Sequence, residues 1–426
     1  MFRRATFVGA LLVSGLAIAE LEPLPEPLSL SDAISLSAPD SPMLMSAIAG
    51  KEMAVAEMAS VEAGDDVSVS LKAYGTWIDT SSLATNQSDN DSLAKLTLSK
   101  KLYDFGSTDA ATAAAGIRQT NSETQHLLAR QQHQLKVMRA FFDVILADLV
   151  FIRDNEAMSM AFIRADKARE HNGMNRVNDV ELLQAEATYQ KVRHTWFTAE
   201  AGQRAARTKL AVAMGRPNDL VSEVMEPEEM EIKKEVPEFD TLLADIMATS
   251  PRLQMMRAQV KAARADIKAA RAAFGPSVSG ELNAAEYNRP SGSRHPFSAS
   301  IIFSMPLTSG GAEEAAVAKK SAALKQAEAA LSATELEIRE EALEHWLKLK
   351  LLRIKLEQVA AEDDFRELYL DRARALYELD LKSDLGDAMT HISTVRLDKA
   401  RTLFDLMMTE AKLAAMAGTL LDKEYK

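Results

Sequence analysis

Residues 297–305 read Phe297-Ser298-Ala299-Ser300-Ile301-Ile302-Phe303-Ser304-Met305, and apolar side chains fall at every second position. Successive side chains of a β-strand point to opposite faces, so this alternation predicts a strand with one apolar and one polar face. The same alternation recurs near Val67–Ile78, Leu93–Leu102 and Ser277–Tyr287. Each stretch has about the ~9–11 residues that a tilted strand needs to cross a bilayer. The four stretches therefore predict membrane strands, with a soluble sheet that buries one face as the alternative.

Long helical patterns without proline follow each pair of predicted strands. The first pattern runs from about Gly106 to Arg169 and the second from Gly311 to about Glu378. At 1.5 Å per residue, ~60 residues form a rod of ~90 Å, which implies coiled-coil packing. Shorter helices are predicted near Leu30–Glu62, Asp240–Ala273 and Ser383–Ala417, with a further helix after Asn178. The abundance of Ala, Leu, Glu, Lys and Arg is also typical of long helices.

The chain contains an internal repeat, because four landmarks recur in the same order roughly 200 residues apart. These landmarks are Ser41-Pro42 and Ser250-Pro251, Ala63-Gly64 and Phe274-Gly275, Asp104-Phe105-Gly106 and Ser309-Gly310-Gly311, and Leu210–Gly215 and Leu413–Gly418. We interpret residues 20–216 as a first structural repeat and residues 239–420 as a second. The acidic segment 217–238 is then a linker, and residues 421–426 form a C-terminal tail.

The N-terminus has the pattern of a secretory signal peptide. Arg3 and Arg4 precede an apolar run from Ala5 to Ile18, and Ala17-Ile18-Ala19 has the small residues of a cleavage site. The run is shorter than the ~20 residues of a spanning helix, so residues 1–19 are predicted to be removed. No later stretch is apolar enough to span a bilayer as a helix, so a membrane location would require the strands.

Composition argues against nucleic-acid binding and against catalysis. The formal net charge is −12 with both signs mixed along the chain, whereas phosphate binding needs a basic face. The absence of Cys excludes thiolate catalysis and thiolate metal sites. Phosphate-loop, His-Glu-x-x-His and Gly-x-Ser-x-Gly motifs are absent, and His126 and His133 fit a solvated or helix-seam position better than a metal site. We therefore predict no enzyme activity, no cofactor and no metal.

Four strands are too few to close a membrane sheet. Membrane barrels begin at ~8 strands, and an open edge would leave unpaired backbone groups in lipid. Two chains would bring eight strands, whose side chains nearly fill the interior, whereas three would bring twelve and leave an aqueous lumen. The sequence therefore predicts a homotrimer with a shared barrel.

Several ordered motifs resemble the TolC-like outer-membrane efflux protein family over nearly the whole mature chain. They are Leu28–Ile34, Leu102–Gly106, Asp179–Ala185, Gly275–Val278, Met305–Gly311 and Asp384–Ala388. The resemblance implies a trimeric barrel in the outer membrane of a Gram-negative-type cell, continued by a long helical tunnel in the periplasm. It also implies a periplasmic adaptor and an inner-membrane transporter as partners, in a tripartite efflux or type I secretion system. The cargo stays open among proteins, drugs and metals.

The resemblance also implies a gate at the periplasmic end. The family's Asp-apolar-x-Asp-Ala pattern matches Asp384 to Ala388, which marks Asp384 and Asp387 as constriction residues. It further suggests a tie between Asp179 and either Tyr377 or Lys382, although Lys stands where an Arg is usual.

The first turn carries the residues expected to contact the adaptor, Gly173 and Asn178. Asn178 and Glu181 also resemble a helix capping box. The competing function is a soluble periplasmic coiled-coil scaffold or adaptor, which membrane fractionation would separate from a duct.

Overall fold

The computed structural model describes residues 23–37, 41–84, 86–227, 236–290, 294–379 and 384–423. The predicted signal peptide, the centre of the acidic linker, Lys382 and the last three residues lie outside this part. Within it, helices and strands follow one another in the order α1 (Leu30–Ser35), α2 (Pro42–Glu62), β1 (Ser68–Tyr74), β2 (Leu93–Tyr103), α3 (Ser107–Gly173), α4 (Asp179–Ala213), α5 (Phe239–Thr249), α6 (Pro251–Ala272), β3 (Ser277–Tyr287), β4 (Phe297–Ser304), α7 (Ala312–Glu378) and α8 (Leu385–Ala417). Short 3-10 helices cover Ala63–Asp65 and Leu420–Asp422.

The two longest helices, α3 and α7, have 67 residues each, which corresponds to about 100 Å. Both begin after a glycine in the left-handed conformation, Gly106 with φ 88° and Gly311 with φ 86°. Glycine adopts this conformation without the steric cost that a side chain brings, so the chain turns sharply from strand to helix. Each long helix then packs against the helix that follows it, α4 or α8.

Two predicted helices are each divided in the structure. The helix predicted near Leu30–Glu62 consists of α1 and α2, and the helix predicted near Asp240–Ala273 consists of α5 and α6. Pro42 and Pro251 stand at the first position of α2 and α6. A proline disfavours helical conformation in the residue before it and removes a backbone donor, so a helix begins there but does not continue through it.

The strands form one open antiparallel sheet in the order β1-β2-β3-β4. Residues paired across strands lie on the same face, and Val69, Leu98, Leu282 and Ala299 form one such row. A neighbouring row on the opposite face is polar, and in it the Thr97 hydroxyl donates to Asn283 Oδ1 at 2.8 Å. β1 ends at Tyr74, earlier than the predicted Ile78, because Gly75 follows and Trp77 pairs only through an isolated bridge to Asn90.

The two faces of this sheet differ in exposure. On the apolar face Leu71 is 72% exposed and Ile301 is 78% exposed. The polar residues of β2, which alternate with Ala94, Leu96 and Leu98, are half-buried. At β2 the polar side of the sheet is therefore more covered than the apolar side, whereas both sides of β1 are exposed.

The largest apolar core joins α3, α8, α1 and the segment after α4. Phe141 and Phe142 are fully buried in it, and the Phe142 ring stacks on Phe404 at 4.6 Å between centroids. Leu28 forms a parallel backbone bridge with Val224, which holds the segment before α1 beside the segment after α4. Both segments thus pack against the middle of α3.

Candidate functional site: the tip of the helical hairpins

The end of α3 and the start of α8 lie side by side. Glu156 of α3 accepts a hydrogen bond from the Ser393 hydroxyl at 2.5 Å, and Arg164 pairs with Asp387 further along. The turns that end α3 and α7 therefore lie at the same end of the molecule. We call this end the tip, comprising the described residues 156–192, 369–379 and 384–393.

The first turn of the tip is built by side-chain caps. Asn178 Oδ1 accepts from the backbone N–H of Glu181 at 2.8 Å, which caps α4 as the sequence predicts. Asn172 Nδ2 donates to the Val177 carbonyl at 3.1 Å and to Asp179 Oδ1 at 3.0 Å. The space around Gly173 is open, since a Cβ built there would meet no atom within 4 Å. This turn is thus closed by its own residues and leaves Gly173 accessible.

The carboxylate of Asp384 accepts a hydrogen bond from the hydroxyl of Tyr369 on α7. This bond lowers the pKa of Asp384 below its usual value and raises the pKa of Tyr369. Because the shift favours the ionised carboxylate, the bond stabilises this turn above the ordinary Asp pKa. The stabilisation is lost only as the pH falls through the lowered value. Asp384 is therefore held as an anion at neutral pH.

Asp387 is paired with a residue of the other hairpin. Arg164 Nη2 lies 2.6 Å from Asp387 Oδ1 and donates to it. The two side chains are 59% and 48% exposed, so in the single chain the pair is worth at most about 1 kcal/mol. It is the ion pair that joins the α3–α4 hairpin to the start of α8.

The residues predicted to tie the gate are not joined to one another in the described structure. Asp179 accepts from Asn172 of its own turn, and Tyr377 has an exposed side chain. Lys382 lies outside the described residues. The tie through Asp179 therefore stays a prediction. Arg164 and Tyr369, which no sequence motif marked, contact the two carboxylates that are predicted to form the gate.

Gly386 marks the closest approach of α8 to α3. It is buried, and a Cβ built on it would overlap the Cγ, Sδ and Cε atoms of Met160. A groove of about 380 Å³ opens beside this contact, between α3, α4 and α8, and Arg164, Glu181 and Asp387 contribute to its walls. A side chain at position 386 would overlap Met160, so the Met160 side chain or the two hairpins would have to shift, which would change this groove.

We expect Gly386→Ala to loosen the tip. Alanine is favoured over glycine within a helix by about 1 kcal/mol, but overpacking costs typically 1–3 kcal/mol, so the net change should be destabilising. Hydrogen exchange at the start of α8 would show it as faster exchange. Gly173→Ala, with open space around it, is the matched control and should leave exchange there unchanged. Restored protection in a Gly386→Ala/Met160→Ala double variant would confirm the contact, and wild-type exchange in the single variant would contradict it.

The described residues hold no group of three His, Asp or Glu side chains placed to bind a metal ion. None of the described helices is long and apolar enough to cross a membrane. The tip carries carboxylates and an arginine, which can attract ions or a charged protein surface, and a groove in which part of another protein could bind.

Comparison with known proteins places these features in a family context. Residues 242–419 match the model of a family described as outer membrane efflux protein. No curated protein sequence is significantly similar to the chain.

Solved structures extend the likeness to the fold of nearly the whole chain. The Campylobacter jejuni CmeC outer membrane channel superposes with a TM-score of 0.76 at 16% identity, over 92% of this chain and 86% of that one. The outer membrane protein VceC from Vibrio cholerae gives 0.69 at 18% identity, over 92% and 96%. The open state of the Neisseria gonorrhoeae MtrE outer membrane channel gives 0.66 at 18% identity, over 92% and 89%. The predicted resemblance to the TolC-like outer membrane efflux protein family, a family of channels and not of enzymes, is thus confirmed by sequence over residues 242–419 and by fold over most of the chain.

Proposed function

We propose that three copies of this chain form an outer-membrane efflux duct. The observation that carries the proposal is the open sheet, whose apolar face is exposed and whose edge strands β1 and β4 each have one unpaired side in the single chain. An open edge leaves backbone donors and acceptors unsatisfied in lipid, so the sheet must continue into another copy. Three four-stranded sheets give a twelve-stranded barrel with room for an aqueous lumen.

The helices support the same assembly. Along α7, Leu343, Leu347, Leu351 and Ile354 are 41–66% exposed, and their spacing of three and four residues places them in one stripe. Much of its surface is exposed among the residues that the structure describes, although such apolar seams normally face a partner helix. Contact with a neighbouring copy would bury it along the helical tunnel.

The mass of the detergent-solubilised protein tests the proposal. Native mass spectrometry is expected to give the mass of a trimer. In membrane fractionation, the protein is expected to stay in the outer membrane after salt washing and to be released only by detergent. A protein that is found only as a monomer would overturn the trimeric duct. Release by salt alone would favour the soluble periplasmic scaffold or adaptor that is the alternative.

Within this proposal the duct works with an inner-membrane transporter and a periplasmic adaptor, in tripartite efflux or type I secretion. The signal peptide comprises residues 1–19. Each structural repeat, residues 20–216 and residues 239–420, supplies two strands and one helical hairpin, and the linker of residues 217–238 joins the two repeats. The tip faces away from the membrane because the sheet lies at the opposite end of α3 and α7. The groove beside Arg164 and the open surface at Gly173 are the proposed contact sites for the adaptor.

Gly173→Trp tests the adaptor contact. The side chain has open space and the backbone of Gly173 is helical, so the substitution should leave folding and trimer formation unchanged. The indole should, however, block the surface that the adaptor contacts, and export and adaptor cross-linking should fall tenfold or more. A tenfold loss of adaptor affinity corresponds to about 1.4 kcal/mol of binding free energy. Gly116→Trp, at an open position far from the tip on α3, is the matched control. Wild-type export with wild-type cross-linking in Gly173→Trp would contradict the contact.

The gate belongs to the same proposal. Asp384 and Asp387 lie three residues apart at the start of α8, so a trimer would place six carboxylates around one axis. Like charges repel in a narrow, low-dielectric opening, so the ring should favour cations and should need external ties to stay closed. The contacts of Tyr369 with Asp384 and of Arg164 with Asp387 support ties within one protomer.

A further inference from the structure

One face of α6 carries a stripe of exposed cations. They are Arg257, Lys261, Arg264, Lys268 and Arg271, spaced four and three residues apart, so they lie in one line along the helix. Arg264 pairs with Glu328 of α7 at 3.1 Å. Among the described residues, no carboxylate lies within ion-pair distance of Lys268 or Arg271. The upper end of the stripe is therefore positive and unneutralised in a chain of net charge −12.

The fold does not require these charges. Helix α2 occupies the corresponding place in the first repeat, as the shared Ser-Pro starts of α2 and α6 show. The α2 residues that correspond to the five cations are Ile48, Glu52, Val55, Ala59 and Glu62, none of them basic. The basic stripe is thus a property of α6 alone, and packing or helix propensity does not explain it.

The stripe lies on the side of α6 that faces away from a cavity shared with α2 and α3. This cavity of about 360 Å³ crosses α2, α3 and α6, and Arg118 spans it by pairing with Glu57 at 3.3 Å and with Asp266 at 2.6 Å. The residues of α6 that line it, including Asp266, lie about half a turn away from Lys268 and Arg271, on the opposite side of the helix.

A lipid site on the stripe requires the apolar face of the sheet to lie on the same side of the molecule. In β2 the apolar residues of that face are exposed, and the polar residues between them are half-buried. α6 packs between α3 and α7 of its own chain, so neither flank of α6 is open to a neighbouring copy in a closed ring. On that side the stripe continues the proposed lipid-facing surface downwards from the strands.

Height along α6 separates the stripe into two parts. α6 ends at Ala272 and β3 begins at Ser277, so Arg271 and Lys268 lie within about one helical turn of the end of α6 that leads into the strands. Lys261 and Arg257 lie about 15 and 21 Å below Arg271, at 1.5 Å per residue. The headgroup layer is only about 5–8 Å thick, and charges are screened over about 8 Å at physiological salt. Only the upper pair can reach a bilayer surface.

We propose that Lys268 and Arg271 bind the phosphate groups of anionic phospholipids in the leaflet that meets the helices. An arginine guanidinium matches phosphate in a bidentate manner, and a lysine ammonium adds a mobile point charge. This inference rests on the proposed membrane location of the strands. Glu313 and Glu314 lie in the first turn of α7, where the helix dipole favours acids, and this turn, like the end of α6, is next to the strands. Their negative charges would repel an anionic lipid, so the proposed lipid contact is limited to α6.

The test compares two variants that each remove two charges from the same face of α6. Trimers of Lys268→Gln/Arg271→Gln and of Arg257→Gln/Lys261→Gln are incubated in detergent with equal amounts of phosphatidylglycerol and phosphatidylcholine. Native mass spectrometry then counts the lipids each trimer retains. In the Lys268→Gln/Arg271→Gln variant (the upper variant) we expect the ratio of bound phosphatidylglycerol to bound phosphatidylcholine to fall roughly 25-fold, at about fivefold per basic residue. The Arg257→Gln/Lys261→Gln variant (the lower variant) should keep the wild-type ratio.

The outcomes are distinct. An unchanged lipid preference in the upper variant, or an equal loss in both variants, would overturn the lipid site, since an equal loss indicates a stripe that attracts any polyanion along its length. Flotation with vesicles provides the second readout. If the wild-type protein enters neither phosphatidylglycerol nor phosphatidylcholine vesicles, the proposed membrane duct fails together with this inference. If it enters both and shows no phosphatidylglycerol preference, the lipid site alone fails.

Discussion

Ile301→Arg is expected to prevent stable assembly of the chain in the outer membrane. Ile301 is near the centre of β4, on the apolar face, and is 78% exposed in the single chain. If this face contacts lipid, an arginine near the midplane costs about 2–4 kcal/mol per chain. Three copies repeat that cost in each trimer. Urea unfolding of the protein in lipid vesicles, together with its amount in outer-membrane fractions, measures the loss.

Ser300→Arg is the matched control for this substitution. Ser300 precedes Ile301 directly and points to the opposite face, where it pairs with Glu281 of β3. An arginine there would face the polar side beside a carboxylate, so assembly should be nearly unaffected. In a soluble protein with the sheet left open to water, both substitutions would be harmless. Equal behaviour of the two variants would therefore contradict a lipid-facing sheet.

The strands were predictable because their signal is local. A period of two in the sequence fixes which residues share a face, and the cross-strand rows of Val69, Leu98 and Leu282 follow that parity. The end of β1 was harder to place, since Thr76 and Trp77 continue the alternation after Gly75. Alternation shows which face a residue would occupy, whereas pairing depends on a partner strand that the local sequence does not specify.

The helix breaks at Ser41-Pro42 and Ser250-Pro251 were also visible in the sequence. Both pairs serve as repeat landmarks, and a proline at the first position of a helix predicts a new start. The prediction of one continuous helix through each pair did not take into account that a proline disfavours helical conformation in the residue before it. The prediction was therefore wrong about continuity, although the outer limits of both helical regions are close to those observed.

The contacts of the tip could not be read from the sequence. Arg164 and Asp387 are 223 residues apart and meet only because α3 packs against α8. No periodic pattern marks Arg164 among the other charged residues of α3. The carboxylates were found through the family pattern at Asp384 to Ala388, but their partners depend on the packing of one hairpin on the other. Tyr369 could not be identified from the sequence for the same reason, since it contacts Asp384 from 15 residues away in the chain.

The ion pair of Arg164 with Asp387 predicts a large change in channel behaviour. In the single chain the exposed pair contributes little, about 0–1 kcal/mol. In the proposed constriction the effect is multiplied, because loss of the arginine leaves three further carboxylates unneutralised around one axis. Arg164→Asp should therefore separate the hairpins by like-charge repulsion. We expect a resting conductance in planar bilayers that is raised tenfold or more, which corresponds to about 1.4 kcal/mol in the open–closed equilibrium.

A charge exchange separates this pairing from general damage to the tip. Asp387→Arg alone should also raise the resting conductance, since it faces Arg164 with a second cation. The double variant Arg164→Asp/Asp387→Arg re-forms the pair in reverse and should return the conductance towards the wild-type value. Interaction between the two substitutions is the quantity that a double-mutant cycle measures. Additive effects of the two substitutions would show that the pair does not hold the gate.

Cation selectivity provides the independent readout for the ring of carboxylates. Asp384→Ala with Asp387→Ala removes six negative charges from the proposed trimer, and it should weaken both cation selectivity and block by multivalent cations. Arg164→Gln should act in the opposite direction on selectivity, because it leaves Asp387 unpaired at neutral pH while removing no carboxylate. Single-channel recordings of the two variants under one salt gradient decide the matter. If both keep the wild-type reversal potential and block, Asp384 and Asp387 are ordinary acids at a helix start, which the helix dipole favours, and the constriction lies elsewhere.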